Sequence, residues 1–288
     1  MDEFKKNLKE STGFRVFVYL IALLVCSMIG GAVTLFLLGD ITQLKIGQAV
    51  SSALIFIAPP LILYAFTRNQ PMSAIGFRKP SSAWLLLIGA ALMFVSLPLT
   101  NLLTEWNEKM NLGTVFESLE ALLKQLEETA GDLTERMLQV DTVGGLLANL
   151  LVIALIPAIG EELTFRGVLQ QALHRGCKNA HVAVILSAAI FSFIHFQFYG
   201  FLPRMFLGVI LGYMFYYSGS LWTSILMHFI NNGAAVVVSY FQYKNGIDVD
   251  VDHFGATDSV WVLLASLIVT VGLIIISNKI NIKYGRKQ

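Results

Sequence analysis

The sequence predicts an all-α fold: a polytopic membrane helix bundle of about eight transmembrane helices with one external amphipathic helix. Three observations predict it. Of the 288 residues, 56% are hydrophobic and only 14% are charged, against roughly a quarter charged in a soluble domain. The apolar residues fall in runs of about 20, the length a helix needs to cross a bilayer. The cations between those runs gather on one side.

Eight runs qualify: 14–38, 47–66, 83–103, 143–165, 181–199, 201–218, 220–241 and 257–277. Pro59, Pro60, Pro98 and Pro157 fall inside or near them. Such prolines are tolerated where neighbouring helices satisfy the carbonyls that they free. With eight spans, one side receives fourteen cations: Lys5, Lys6, Lys9, Arg15, Arg68, Arg78, Lys79, Arg166, Arg175, Lys178, Lys279, Lys283, Arg286 and Lys287. The other side receives six: Lys45, Lys109, Lys124, Arg136, Arg204 and Lys244. The cation-rich side is the cytoplasmic one. Both termini are therefore expected in the cytoplasm, with the chain integral to a bacterial-type inner or plasma membrane. The start, Met1 to Lys9, carries no cleavable signal pattern, so the first run is expected to stay as a span.

A net charge of +1 and the lack of a long basic block give no reason to expect nucleic acid as a partner. Cys26 and Cys177 have neither metal-knuckle nor disulfide spacing and are expected to be ordinary packing residues. Residues 1–142 read as a three-span N-terminal region whose external segment, about 104–142, carries nine acids. Leu119, Leu122, Leu123, Leu126 and Leu133 recur there at near-helical spacing, as in an amphipathic helix. It reads as a structural cap over the bundle or as a substrate gate. Residues 143–241 form the expected core, and 242–288 the last span with a basic tail.

Ionisable groups inside a span cost roughly 3 kcal/mol or more, so each is a candidate for function. In Pro157-Ala-Ile-Gly-Glu161-Glu162-Leu-Thr-Phe-Arg166-Gly167, adjacent glutamates point about 100° apart on a helix. Glu162 and Arg166 stand at i and i+4 in the favoured order. Their pairing neutralises Glu162 and leaves Glu161 as a candidate general acid or base. The plainer reading is a charged span end at the interface. His195 closes Phe191-Ser-Phe-Ile-His195 in the fifth run, where a lone His is also readily structural. His228 and Asn232 share a face of the seventh run. Asn232 is a neutral donor suited to an oxyanion or to interhelical bonding. Arg204, near Tyr199, reads as an interface anchor. If the turn between the fourth and fifth runs falls at Lys178, Glu161 and His195 lie seventeen residues to either side and at one height.

Together, Glu161-Glu162-x-x-x-Arg166, Phe191-x-x-x-His195 and His228-x-x-x-Asn232 resemble, in order and spacing, the motifs of the CAAX prenyl protease type II family, which includes the CPBP (Abi) membrane proteins. The resemblance covers about residues 143–241. It implies an intramembrane endopeptidase acting on peptide or lipidated-protein substrates in the bilayer, CAAX-type prenylated tails among them. It implies that Glu161 and His195 activate water, that His228 and Asn232 stabilise the oxyanion, and that Arg166 holds Glu162. No cofactor is expected; the alternative is zinc on Glu161, His195 and His228, leaving a fourth position for water. A non-catalytic immunity or scaffold protein and a proton-coupled transporter are the rival functions.

Overall fold

A computed structural model describes residues 12–37, 39–66, 72–246 and 254–284. Lys5, Lys6, Lys9, Arg68, Arg286 and Lys287, counted above among the basic flanks, lie outside the described residues. Ten principal helices follow in order: α1 (Thr12–Phe36), α2 (Ile41–Phe66), α3 (Trp84–Val95), α4 (Leu97–Glu108), α5 (Glu117–Leu138), α6 (Val143–Cys177), α7 (Ala180–Phe193), α8 (Phe201–Ser218), α9 (Leu221–Asn245) and α10 (Val260–Tyr284). The described residues contain no strand.

The polytopic bundle is as expected, with a span count only near eight. Six helices are long and apolar enough to cross a membrane, and the bent pair α3–α4 makes seven. The bend is 45°. It falls at Ser96, just before Pro98, whose ring opposes a continuous helix across the preceding turn. The expected fifth span is α7, which has only 14 residues, or about 21 Å at 1.5 Å per residue. That is short of a hydrocarbon core of roughly 30 Å.

Helix ends follow local chemistry. The Asp40 and Thr142 side chains accept the N–H groups of Gln43 and Gly145 at the starts of α2 and α6. Lys178, at φ +54°, ends α6 in the left-handed conformation, and Asn179 accepts from His181 and Val182 to start α7. The α6–α7 turn thus falls at Lys178, the position taken for it in comparing the heights of Glu161 and His195.

The helices that carry the polar motifs occupy the middle. Leu85, Leu92 and Met93 of α3 pack with Ile210, Leu211 and Met214 of α8 and Met227 of α9. Ala158 and Leu163 of α6 pack with Phe215, Leu221 and Ile225. α1 packs against α2, and α10 against α3, α4 and α8. The prolines are accommodated by cross-helix donors. Pro60 has no N–H for the Phe56 carbonyl four residues back, and the Thr164 hydroxyl donates to it at 2.7 Å. Pro157 has none for the Ile153 carbonyl, and the Asn232 amide donates there at 3.4 Å.

Candidate active site

α6 departs from regular α geometry on both sides of its glutamates. Wider π turns span Leu150–Leu155 and Leu163–Gln170, with Ile156–Glu162 between them. π segments interrupt a helix at a cost and concentrate at functional sites. Here they bracket the polar stretch.

Glu162 is fully buried at 0% exposure and Arg166 nearly so at 1%. The Arg166 guanidinium donates to Glu162 Oε1 at 2.7 Å and to the Gly208 carbonyl of α8 at 3.0 Å. It also lies 4.9 Å over the Phe191 ring. His228 Nδ1 meets the same Glu162 oxygen at 3.0 Å. The i, i+4 pair predicted from sequence is therefore a triad, with α9 supplying the third member. A carboxylate held this way accepts, so Nδ1 carries the His228 proton toward it.

Glu161 differs from its neighbour. It is 9% exposed, and its Oε2 lies 3.7 Å from His228 Nε2, beyond hydrogen-bond range. One water can touch both atoms at once, since each needs an approach of only about 2.8 Å. His195 ends α7 by its own chemistry. Its Nδ1 donates to the Phe191 carbonyl at 2.7 Å, the group that its backbone N–H would use in a continuing helix. That N–H goes to Ser192 at 3.3 Å instead, and Phe196 turns to φ +52°. Such a value is uncommon for a bulky residue and marks a locally constrained backbone. With Nδ1 donating, a neutral ring keeps its lone pair on Nε2. The Phe191 ring lies edge-on to His195 at 5.0 Å and to His228 at 6.0 Å.

The structure thus gathers Glu161, Glu162, Arg166 and His228 directly and brings His195 to them across Phe191. Asn232 lies one turn beyond His228, with an N–H on the Ile153 carbonyl and its oxygen accepting from Asn231 at 3.2 Å. Among the described residues no three His, Cys, Asp or Glu side chains are already grouped to hold a metal ion. Glu162 and the Phe191 carbonyl take the Nδ1 atoms of His228 and His195 and leave both Nε2 atoms open. Metal-binding imidazoles also use this arrangement, so zinc on Glu161, His195 and His228 stands as the alternative to a metal-free site.

Sequence reasoning missed the groups that hold the His195 loop. Asn107 of α4, 1% exposed, donates to the Phe198 carbonyl at 2.8 Å and accepts from Leu202 N–H at 2.6 Å. Glu120 and Glu127, seven residues apart on one face of α5, accept from the Tyr199 hydroxyl and the Tyr199 N–H, each at 3.0 Å. Lys124 pairs with Glu120 at 3.0 Å, and the Leu112 N–H also donates to that carboxylate. These two contacts, Lys124 first, hold the Glu120 carboxyl below the ordinary carboxylate range. The i, i+7 spacing of Glu120 and Glu127 was the available signal. Arg204, read as an interface anchor, instead donates to Gln197 of the same loop at 2.6 Å. Its Nη1 is buried without a partner, and its charge acts on both Glu161 and His195.

Fold and site together define a polytopic membrane protein with a buried carboxylate–imidazole cluster of the kind that activates water. The family model "Type II CAAX prenyl endopeptidase Rce1-like" matches residues 143–234, 92 of the 288. This is the resemblance carried by the three motifs, on the same stretch, and the family is one of proteases. Comparison with curated proteins gives no match, nor does comparison with solved structures. The chain is an integral membrane protein whose residues 143–234 are similar to the Rce1-like family model.

Proposed function

We propose that the protein is an intramembrane endopeptidase that hydrolyses membrane-associated peptides with a water activated by Glu161 and His195. The observation that carries this reading is the inequality of the two adjacent glutamates. Glu162 takes hydrogen bonds from Arg166 and His228, both on Oε1, and its Oε2 is sealed from solvent. Glu161, one residue away in the same low-dielectric surround, makes no hydrogen bond among the described residues, keeps 9% exposure and faces an imidazole nitrogen at 3.7 Å. A general base must keep a free lone pair that its substrate can reach, and of the two glutamates Glu161 is the accessible one.

The reaction assigns each group one task. Glu161 takes a proton from water as its oxygen attacks the scissile carbonyl carbon. His195, oriented by the Phe191 carbonyl, accepts from the same water through Nε2. The oxyanion of the tetrahedral intermediate receives an N–H from protonated His228 Nε2 and one from Asn232. Glu162 balances the imidazolium through Nδ1 and is itself balanced by Arg166. Collapse of the intermediate breaks the C–N bond, and the proton held by Glu161 passes to the leaving amine. The sum is water plus amide giving acid plus amine.

The substrate class to test first is CAAX-type prenylated tails, which the family match supports, alongside unmodified peptides. We place both chain termini in the cytoplasm by the cation bias, which requires the short α7 to complete an eighth crossing. Purified protein is incubated with farnesylated and unmodified peptides, with and without chelator, beside Glu161→Gln and His195→Ala. Cleavage by the wild type, lost in both variants and retained with chelator, is the expected result. Equal cleavage by Glu161→Gln sinks the mechanism, and loss to chelator restores the zinc alternative.

A further inference from the structure

We infer that the end of the bundle about 13 Å along α6 from Glu161, at 1.5 Å per residue, holds a second site, for a phosphate ester supplied by an anionic lipid headgroup. The site is a cavity of about 210 Å³ where α6 and α8 end and α7 begins, lined among others by Arg78, Gln170, Gln171, His174, Arg175 and Tyr216. That volume is well above the roughly 10–15 Å³ that one water needs.

The ligand is specified by a charge imbalance written in the chain. Residues 41–104 contain no Asp or Glu, and neither do residues 163–247. Every lining residue falls in one of these two stretches, so the walls bring in arginine and histidine without an acid of their own. Among the described residues no ion pair engages Arg78, His174 or Arg175. Cations gathered without a counter-ion attract an anion from outside.

The site is braced. Arg78 Nε donates to the Gly219 carbonyl and its own carbonyl accepts from Ser220 Oγ. Gly219 sits at φ +63°, where a Cβ would meet the Arg78 guanidinium. The His174 ring stands edge-on to Tyr216 at 5.6 Å.

A lipid is favoured over a soluble ester by place. The lining residues lie where four consecutive helices begin or end, the level at which headgroups meet a bundle. The inference stands apart from proteolysis, since no lining residue belongs to the catalytic cluster.

The test uses the full chain in detergent after delipidation, followed by native mass spectrometry and thermal melting. Four probes are titrated: phosphatidylglycerol, phosphatidylcholine, glycerol 3-phosphate and inorganic phosphate. Phosphatidylglycerol is expected to bind tightest and raise the melting temperature. Arg175→Gln and His174→Gln, both on accessible side chains, should each weaken it about 5-fold. Lys283→Gln, on the far end of α10, should change nothing and controls for general charge. Glycerol 3-phosphate binding as tightly as the lipid, with the same variant pattern, keeps the site and makes its ligand soluble. Equal binding of phosphatidylglycerol and phosphatidylcholine, or equal losses in Lys283→Gln and Arg175→Gln, overturns the site.

Discussion

α1 and α10 flank the bundle, whereas α6 and α9 run through it. In their most apolar stretches α1 and α10 are each 17% buried, against 33% for α6 and 44% for α9. Yet α1 and α10 are the more apolar pair. In water the most apolar helix would be the most buried. In lipid an apolar surface gains nothing by leaving the solvent, so helices associate through close backbone approach and polar contact. The glycines follow this difference in part. A Cβ on Gly31 of α1 or Gly272 of α10 would meet nothing within 4 Å, although on Gly30 of α1 it would lie 3.4 Å from the Ser51 backbone of α2. On Gly160 of α6 it would lie 2.9 Å from Phe56 Cβ, and on Gly208 of α8 it would lie 3.3 Å from the Ala188 backbone. The chain keeps its polar residues where it keeps its close contacts, because a buried ion needs a partner held at fixed distance.

The sharpest way to break this comparison is inside the α6 cluster. Arg166→Ala strands the Glu162 carboxylate and should cost about 3–5 kcal/mol, seen as a large fall in melting temperature or in yield of folded protein. Glu161→Gln, one residue from Glu162, should leave melting nearly unchanged while peptide cleavage falls roughly 10²–10⁴-fold. If both variants melt alike, the two glutamates are not different in kind. Next in size come the glycines. Gly208→Ala should lose about 1–3 kcal/mol by forcing α8 from α7, and Gly272→Ala should gain up to about 1 kcal/mol of helix propensity. Matching effects on the melting curves would remove the distinction between core and rim.

Smaller effects probe the external helix. Tyr199→Phe removes one hydrogen bond to Glu120, worth about 0.5–1.5 kcal/mol, and should speed amide exchange in residues 194–200. The same contact sets a pH dependence. The folded Glu120 carboxyl is depressed by Lys124 and the Leu112 N–H, so its contribution is present above the ordinary value of about 4.3. It is lost as pH falls through the lower folded value. Exchange of the His195 loop should therefore rise in that acidic window, and Glu120→Gln should abolish the dependence. A loop whose exchange ignores both changes is not held by α5.

Much of this was legible in the linear sequence. Run length and charge deficit are sufficient for a helical membrane bundle, because a bilayer admits few alternatives to a helix. The Glu162–Arg166 pair follows from helical period alone. The α6–α7 turn at Lys178 was a premise that the structure supports, with Lys178 left-handed at φ +54°. The His195 loop was not legible. Its bonds to Asn107, Glu120 and Glu127 cross 72 to 95 positions of sequence, and no local pattern encodes such a pairing. The short α7 was hidden for a related reason. The residues after Phe193 remain apolar, and only the side-chain geometry of His195 shows the helix ending there.

By itself the sequence determined the solvent, the class of fold and the identity of the polar residues, since each depends on composition or on a period shared by neighbours along one helix. Helical period already paired Glu162 with Arg166 and left Glu161 open, and only the tertiary structure added a third member. His228 arrives from α9 to give its Nδ1 to Glu162 and to set its Nε2 beside Glu161. A helix can pair one of two adjacent carboxylates by itself, but it takes a second helix to place an imidazole between them.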